Sequence, residues 1–95
     1  MVINKTDDIK DFVNEVLMSI PNPYGEDIID ELFLKVKGDS EYLRTYNQLV
    51  DSHTKRVTNQ LIGKYTQRIT GLNSHERVQA TRGNLNKNYT KLRIN

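Results

Sequence analysis

The sequence predicts an all-α fold, a compact bundle of about four helices followed by a basic C-terminal tail. Apolar residues recur at helical spacing in four successive segments between residues 7 and 70. Glycine and proline stand between several of these segments, where they end helices. From residue 73 onward the chain is polar and basic, with few apolar residues. We therefore expect a helical domain at 1–72 and a tail at 73–95 that is mobile or ordered by a partner.

The first predicted helix covers residues 7–20. Thr6 suits its N-cap, and the acidic residues Asp7 and Asp8 suit the positive end of the helix dipole. The prolines and glycine of residues 21–25 end it, because they cannot continue a helix. Its apolar stripe consists of Ile9, Phe12, Val13, Val16, Leu17 and Ile20.

Two further helices are predicted at residues 26–37 and at about 41–52. Gly38 fits the left-handed position after the second helix, and Asp39 or Ser40 caps the third. Leu34 points away from the apolar stripe and is expected to be exposed. The stripe of the second helix is Ile28, Ile29, Leu32, Phe33 and Val36, and that of the third is Tyr42, Leu43, Tyr46, Leu49 and Val50.

The fourth helix, at about 55–70, contains an unexplained glycine. Gly71 ends the helix, while Gly63 lies in its middle, on the side opposite the apolar stripe. A helical glycine costs about 1 kcal/mol relative to alanine. Close approach by nucleic acid or by another protein helix would explain Gly63, and so would simple tolerance of the residue. The predicted stripe is Val57, Leu61, Ile62, Tyr65 and Ile69, and the opposite face is Arg56, Asn59, Gln60, Gly63 and Gln67.

The tail at 73–95 permits several local structures. Ser74 could cap one helical turn, and Leu85, Tyr89 and Leu92 have the spacing of a short helix. The alternation of Leu92 and Ile94 permits a strand instead. With so few apolar anchors, removal of the tail is expected to leave stability nearly unchanged.

Charge divides the chain into two halves. Residues 1–43 contain ten acidic residues against four lysines, whereas residues 44–95 contain ten basic residues against two acidic ones. Such asymmetry favours a polyanionic partner. Alternatively, the acidic half folds against the basic half and the two neutralise each other.

Composition excludes several classes of site. The absence of cysteine excludes disulfides and thiolate metal sites, and His53 and His75 are too few imidazoles for a dedicated metal site. The carboxylates of 27–31 have the pattern of a solvated acidic face, so neither catalysis nor a cofactor is expected. No stretch is apolar enough to cross a bilayer or to act as a signal peptide, so a cytoplasmic protein without membrane contact is expected.

The leading functional hypothesis is non-catalytic nucleic-acid binding by a small regulator, through the helix at 55–70 and the tail. Residues 40–70 resemble a helix-turn-helix in outline, although their turn lacks the usual glycine. Tyr24 and Tyr89 remain available for base stacking. The alternative is a protein-interaction module, such as an inhibitor, an adaptor or a homodimer, that uses the Gly63 face and the tail. The candidate binding residues are Lys55, Arg56, Asn59, Gln60, Gly63, Lys64, Gln67, Arg68, Arg77, Arg82, Lys87, Lys91 and Arg93.

Overall fold

Four helices and an antiparallel β-hairpin form the structure, a computed structural model that describes residues 6–94. The predicted all-α class is wrong, since residues expected to form a flexible tail form the two strands of an α+β fold. The division of the chain at residue 72 stays a prediction. Residues 1–5 and 95, at the two ends of the predicted domains, lie outside the described residues. The elements are α1 (Asp7–Met18), α2 (Ile28–Lys37), α3 (Ser40–His53), α4 (Lys55–Thr70), β1 (Asn73–Gln79) and β2 (Asn88–Arg93).

The helix ends follow local rules only in part: Thr6 lies at the N-cap of α1 as predicted, but within the described residues its side chain accepts no capping hydrogen bond. The Asp39 carboxylate accepts hydrogen bonds from the Glu41 and Tyr42 amides, and Gly71 is left-handed with a φ of 73°, so both predictions are confirmed. Gly38, predicted to be left-handed, instead has a φ of −85°. Thr54 occupies the turn between α3 and α4 with a φ of 77°, which is an uncommon conformation for a β-branched residue.

The core is shared by the helices and the hairpin. It is built mainly from α1 and α2, whose predicted stripes are buried except at Ile20, which follows α1 and is only partly buried. Tyr89 and Leu92 of β2 belong to the same core. Leu34 is 39% exposed, as expected from its position off the stripe. Within residues 6–94, no helix combines the length and apolar content needed to cross a bilayer.

The orientation of α4 differs from the predicted one. Its buried face includes Thr58 and Thr66, whereas the predicted stripe residues Val57 and Ile69 are exposed and Leu61 is only partly buried. Both buried threonine hydroxyls donate to backbone carbonyl oxygens, which removes the cost of burying them. The prediction from apolar periodicity was therefore wrong by part of a turn in the rotation of α4 about its axis.

The hairpin is held to α2 by the carboxylates that were predicted to be solvated. Asp30 is buried and accepts hydrogen bonds from the Thr81 amide at 3.1 Å, the Thr81 hydroxyl at 2.6 Å and the Asn84 side-chain amide at 2.7 Å. The Tyr89 hydroxyl donates to Asp27 at 2.6 Å. The prediction of a solvated acidic face is therefore wrong for Asp27 and Asp30, because both anchor the segment that follows α4.

Candidate functional site

A cleft of about 510 Å³ separates α4 from the hairpin. One wall comes from the polar stripe of α4, and the other comes from β1, β2 and the loop that joins them. We call it the α4–hairpin cleft. Its lining residues are Ile29, Arg56, Asn59, Gln60, Gly63, Lys64, Gln67, Arg77, Asn86, Tyr89 and Thr90.

Local structure places these side chains opposite one another. Arg56, Gln60, Gly63 and Gln67 are spaced by three or four residues, so they lie on one side of α4. The helix ends at Gly71, and β1 begins two residues later at Asn73. The Gln67 side chain donates to the Ser74 hydroxyl at 3.2 Å near the start of β1. The cleft thus follows the length of α4.

Gly63 lines the α4–hairpin cleft, and among the described residues there is open space where its side chain would begin. A Cβ atom added there would have no other heavy atom within 4 Å, apart from its chain neighbours and the backbone of its own helix. The glycine is therefore not required for packing inside the protein. Its missing side chain leaves space in the wall of the cleft.

Some lining side chains are committed to the fold. Asn59, predicted to lie on the exposed face, is buried; its amide oxygen accepts from the Tyr46 hydroxyl at 2.6 Å, and its amide nitrogen donates to the Leu85 carbonyl at 3.4 Å. Arg77 donates to the Thr90 hydroxyl at 3.4 Å.

Four polar side chains of the cleft form no such contact within the described residues. Within the described residues, the side chains of Arg56, Gln60, Lys64 and Asn86 make no hydrogen bond or ion pair. The first three are exposed and lie on α4, while Asn86 faces them from the hairpin loop. A ligand in the cleft can therefore bind these groups without breaking an internal contact.

Two shallower depressions continue the cleft at its ends. One shares Lys64 and Gln67 with it and adds Arg68. The other shares Asn86 and adds Arg82 and Lys87 at the tip of the hairpin. Within the described part of the chain, none of the residues that line the three depressions is acidic. We call the three together the basic groove.

The basic side chains are not neutralised by ion pairs. Among residues 6–94, the ion pairs are those of His53 with Asp8 and of His75 with Glu76, and no Lys or Arg is paired with a carboxylate. The acidic half holds the hairpin through neutral hydrogen-bond donors such as Thr81 and Asn84. The positive charge of the groove therefore remains available.

The remaining predicted site residues lie outside the α4–hairpin cleft. Lys55 is exposed at the first position of α4, and Lys91 and Arg93 belong to β2. The Arg93 guanidinium lies 2.9 Å from Nδ1 of His75, and that of Arg68 lies over the Tyr65 ring. These residues therefore do not join the cluster around Gly63.

The two tyrosines considered for base stacking both support the fold. The Tyr24 hydroxyl donates to the Leu17 carbonyl at 2.9 Å. Tyr89 is only 7% exposed, and burial, followed by its hydrogen bond to Asp27, raises the pKa of its hydroxyl. The hydroxyl of Tyr89 remains a hydrogen-bond donor, and its buried ring offers no free face, whereas the ring of Tyr24 is partly buried against the core.

Chemically, the cleft offers positive charge and free amide groups. Arg56, Lys64 and Arg77 can bind phosphate or carboxylate oxygens, and Gln60 and Asn86 can both donate and accept hydrogen bonds. Asn86 was missed by the sequence analysis, because nothing local distinguishes it from the other asparagines near it. Comparisons of the chain with models of protein families, with curated proteins and with solved structures find no match.

Proposed function

We propose that this protein binds nucleic acid without catalysis, as a small cytoplasmic regulator, and that the basic groove is its binding surface. One observation carries the proposal: among the described residues, six cationic side chains and no carboxylate line three depressions that share lining residues. These side chains are Arg56, Lys64, Arg68, Arg77, Arg82 and Lys87.

The charges would supply most of the affinity. Lys and Arg side chains release counterions when they bind phosphates, so binding weakens steeply as salt rises. Arg56 and Lys64 are the strongest candidates for phosphate contacts, because both are exposed and unpaired in the described structure. Gln60 and Asn86 would lie close enough to the bound chain to contact base edges.

A double substitution tests the proposal. Replacing Arg56 and Lys64 together by Gln should lower affinity for an oligonucleotide by about tenfold or more at low salt. The slope of log affinity against log salt should fall by about 1.4 to 1.8, depending on whether the ligand is a single strand or a duplex. Fluorescence anisotropy over a salt series measures both quantities.

The matched control is the double replacement of Lys10 and Lys35 by Gln. It removes the same net charge, but neither residue lines the basic groove. The control should retain most of the affinity and the slope. Equal losses in the two variants would mean that only net charge matters and would refute the groove as the binding surface.

A protein-interaction module is the second candidate, favoured by an exposed apolar patch around the end of α1. Met18 is 79% exposed, and Ile20, Pro21 and Leu34 line a shallow, mainly apolar depression beside it. Exposed apolar patches often mark protein-binding surfaces, including those of homodimers. Sedimentation equilibrium tests the homodimer: a dimer that Leu34→Gln dissociates supports this candidate, and a monomer at all concentrations rejects a homodimer.

A further inference from the structure

We infer that the nucleic acid is single-stranded, and that one of its nucleotides enters the α4–hairpin cleft and lies against Gly63. This inference rests on the proposed function. It depends on three features of the groove: its concave shape, its length and its free side chains.

The shape disfavours duplex binding through α4. Proteins read duplex DNA by inserting a projecting helix or β-ribbon into a major groove about 12 Å wide. The polar stripe of α4 does not project alone, because Arg77, Asn86 and Thr90 of the hairpin face it across the cleft. The helix-turn-helix interpretation therefore does not fit this face of α4. A concave cleft fits a thin, flexible chain better than a rigid duplex.

The length of the groove fits several nucleotides. Arg56 and Arg68 are twelve positions apart on α4, which corresponds to about 18 Å along the helix axis. At about 3.4 Å per nucleotide of a stacked strand, this distance covers about five nucleotides. The central cleft of about 510 Å³ lies within the range of about 300 to 1,000 Å³ that encloses a small organic ligand, and so can hold one nucleotide.

The side chains around Gly63 suit the inserted nucleotide. Arg56 and Lys64 flank the glycine and can bind the phosphates on either side, while Gln60 and Asn86 offer free amides for a base edge. The aromatic residue of the cleft, Tyr89, is buried and bonded to Asp27, so it offers no stacking platform. Binding should therefore depend on phosphates more than on stacking.

Binding of matched oligonucleotides to the full chain tests the inference. We expect a single strand of about 10 nucleotides, either DNA or RNA, to bind at least about tenfold more tightly than the duplex of the same sequence. Gly63→Gln, which places a side chain in the cleft, should reduce single-strand affinity by about tenfold. The control Val57→Gln adds the same side chain to an exposed position of α4 outside the groove and should retain affinity.

Each outcome separates the two proposals. If duplex and single strand bind equally well, or if Gly63→Gln binds as tightly as the unmodified protein, the inference fails while nucleic-acid binding stands. If no strand or duplex binds, the proposed function itself fails.

Nuclear magnetic resonance of the unmodified protein provides a test that does not depend on a variant folding. Addition of the single strand should change the chemical shifts of the backbone amide of Gly63 and of the side-chain amides of Gln60 and Asn86. Shifts confined to residues outside the α4–hairpin cleft would overturn the inference.

Discussion

At the scale of single residues, Gly63 and Gly71 show how the same residue type has different physical roles. Gly71 has a positive φ of 73°, which L side chains rarely adopt, and it reverses the chain after α4. Gly63 has no positive φ and no neighbour that an added Cβ would meet. The backbone requires glycine at position 71 but not at position 63.

We therefore expect opposite effects from alanine at these two positions. Gly63→Ala should stabilise the free protein by up to about 1 kcal/mol, because alanine favours the helix and meets no clash. Gly71→Ala should destabilise it by about 1 kcal/mol or more, because alanine is strained at positive φ. Urea unfolding measures both. A loss of stability in Gly63→Ala as large as that in Gly71→Ala would show that position 63 is packed in the free protein.

Tyr89 gives the protein a pH-dependent contribution to stability. Burial, then the hydrogen bond to Asp27, raises the pKa of Tyr89 above its ordinary value of 10.0. The stabilising contribution of Tyr89 is therefore complete below about pH 10 and is lost as the pH rises above it, because the unfolded chain ionises first. Tyr89→Phe should cost about 1 to 3 kcal/mol near neutral pH, since it removes a hydrogen bond to a carboxylate.

The free energy of unfolding, measured from about pH 8 to about pH 11, checks this prediction. The difference between the unmodified protein and Tyr89→Phe should shrink at the alkaline end. Tyr46, whose pKa is also raised by burial, remains in both proteins, so its effect cancels in the comparison. A difference that grows above pH 10 would contradict the assigned direction of the shift.

At the scale of elements, α4 is the helix whose buried face differs most from the face that its apolar residues predict. Thr58 and Thr66 are buried beside Ile62, while the apolar side chain of Val57 is exposed. The Thr66 hydroxyl donates to the Ile62 carbonyl of α4, and the Thr58 hydroxyl donates to the Thr54 carbonyl just before α4 and to the Leu49 carbonyl of α3. The helix can therefore turn a partly polar face inward and leave its more polar stripe to line the cleft.

A pair of alanine substitutions on α4 checks this orientation. Ile62→Ala should cost about 2 to 5 kcal/mol, because Ile62 is fully buried and its removal leaves a cavity. Leu61→Ala should cost clearly less, because Leu61 is only partly buried. Chemical denaturation of the two variants gives the comparison. If Leu61→Ala lowered the free energy of unfolding more than Ile62→Ala, the result would support the orientation predicted from apolar periodicity instead.

At the scale of the whole molecule, no Lys or Arg of the described residues forms an ion pair between the acidic and basic halves, and the contact of this kind that joins them is that of His53 with Asp8. Asp27 at the N-cap of α2 and Asp30 within α2 anchor the hairpin, and the Leu92 amide donates to the Glu26 carbonyl at 2.9 Å. The hairpin thus contributes to the core on one side and to the basic groove on the other. Stability and binding depend on the same segment of the chain.

Truncation tests this double role. A chain that ends at Leu72 should lose about 3 kcal/mol or more and unfold less cooperatively, because it lacks the buried side chains of Tyr89 and Leu92. This outcome is opposite to the one expected for a flexible tail. Thermal unfolding followed by circular dichroism measures the change. A chain that ends at Arg93 is the control and should unfold as the full chain does. An unchanged melting curve for the chain that ends at Leu72 would show that the hairpin does not contribute to the core.

The sequence by itself determined the four helices and their order. Helical periodicity, the Asp39 cap and the glycine at position 71 depend on interactions within a few residues, so they could be predicted from the chain. It also indicated part of the site, because the stripe from Arg56 to Gln67 follows directly from the pitch of a helix.

The tertiary structure alone decided the hairpin, the rotation of α4 and the cleft. Residues 73–79 form a strand whose side chains are mostly exposed, so they carry no apolar alternation that could predict it. The strand is held instead by pairing with β2, which is anchored by Tyr89 to the distant carboxylate of Asp27, just before α2. The cleft joins Arg56 to Arg77 and Asn86. Residues so far apart in the chain become neighbours only after long-range hydrogen bonds and core packing have placed the hairpin beside α4.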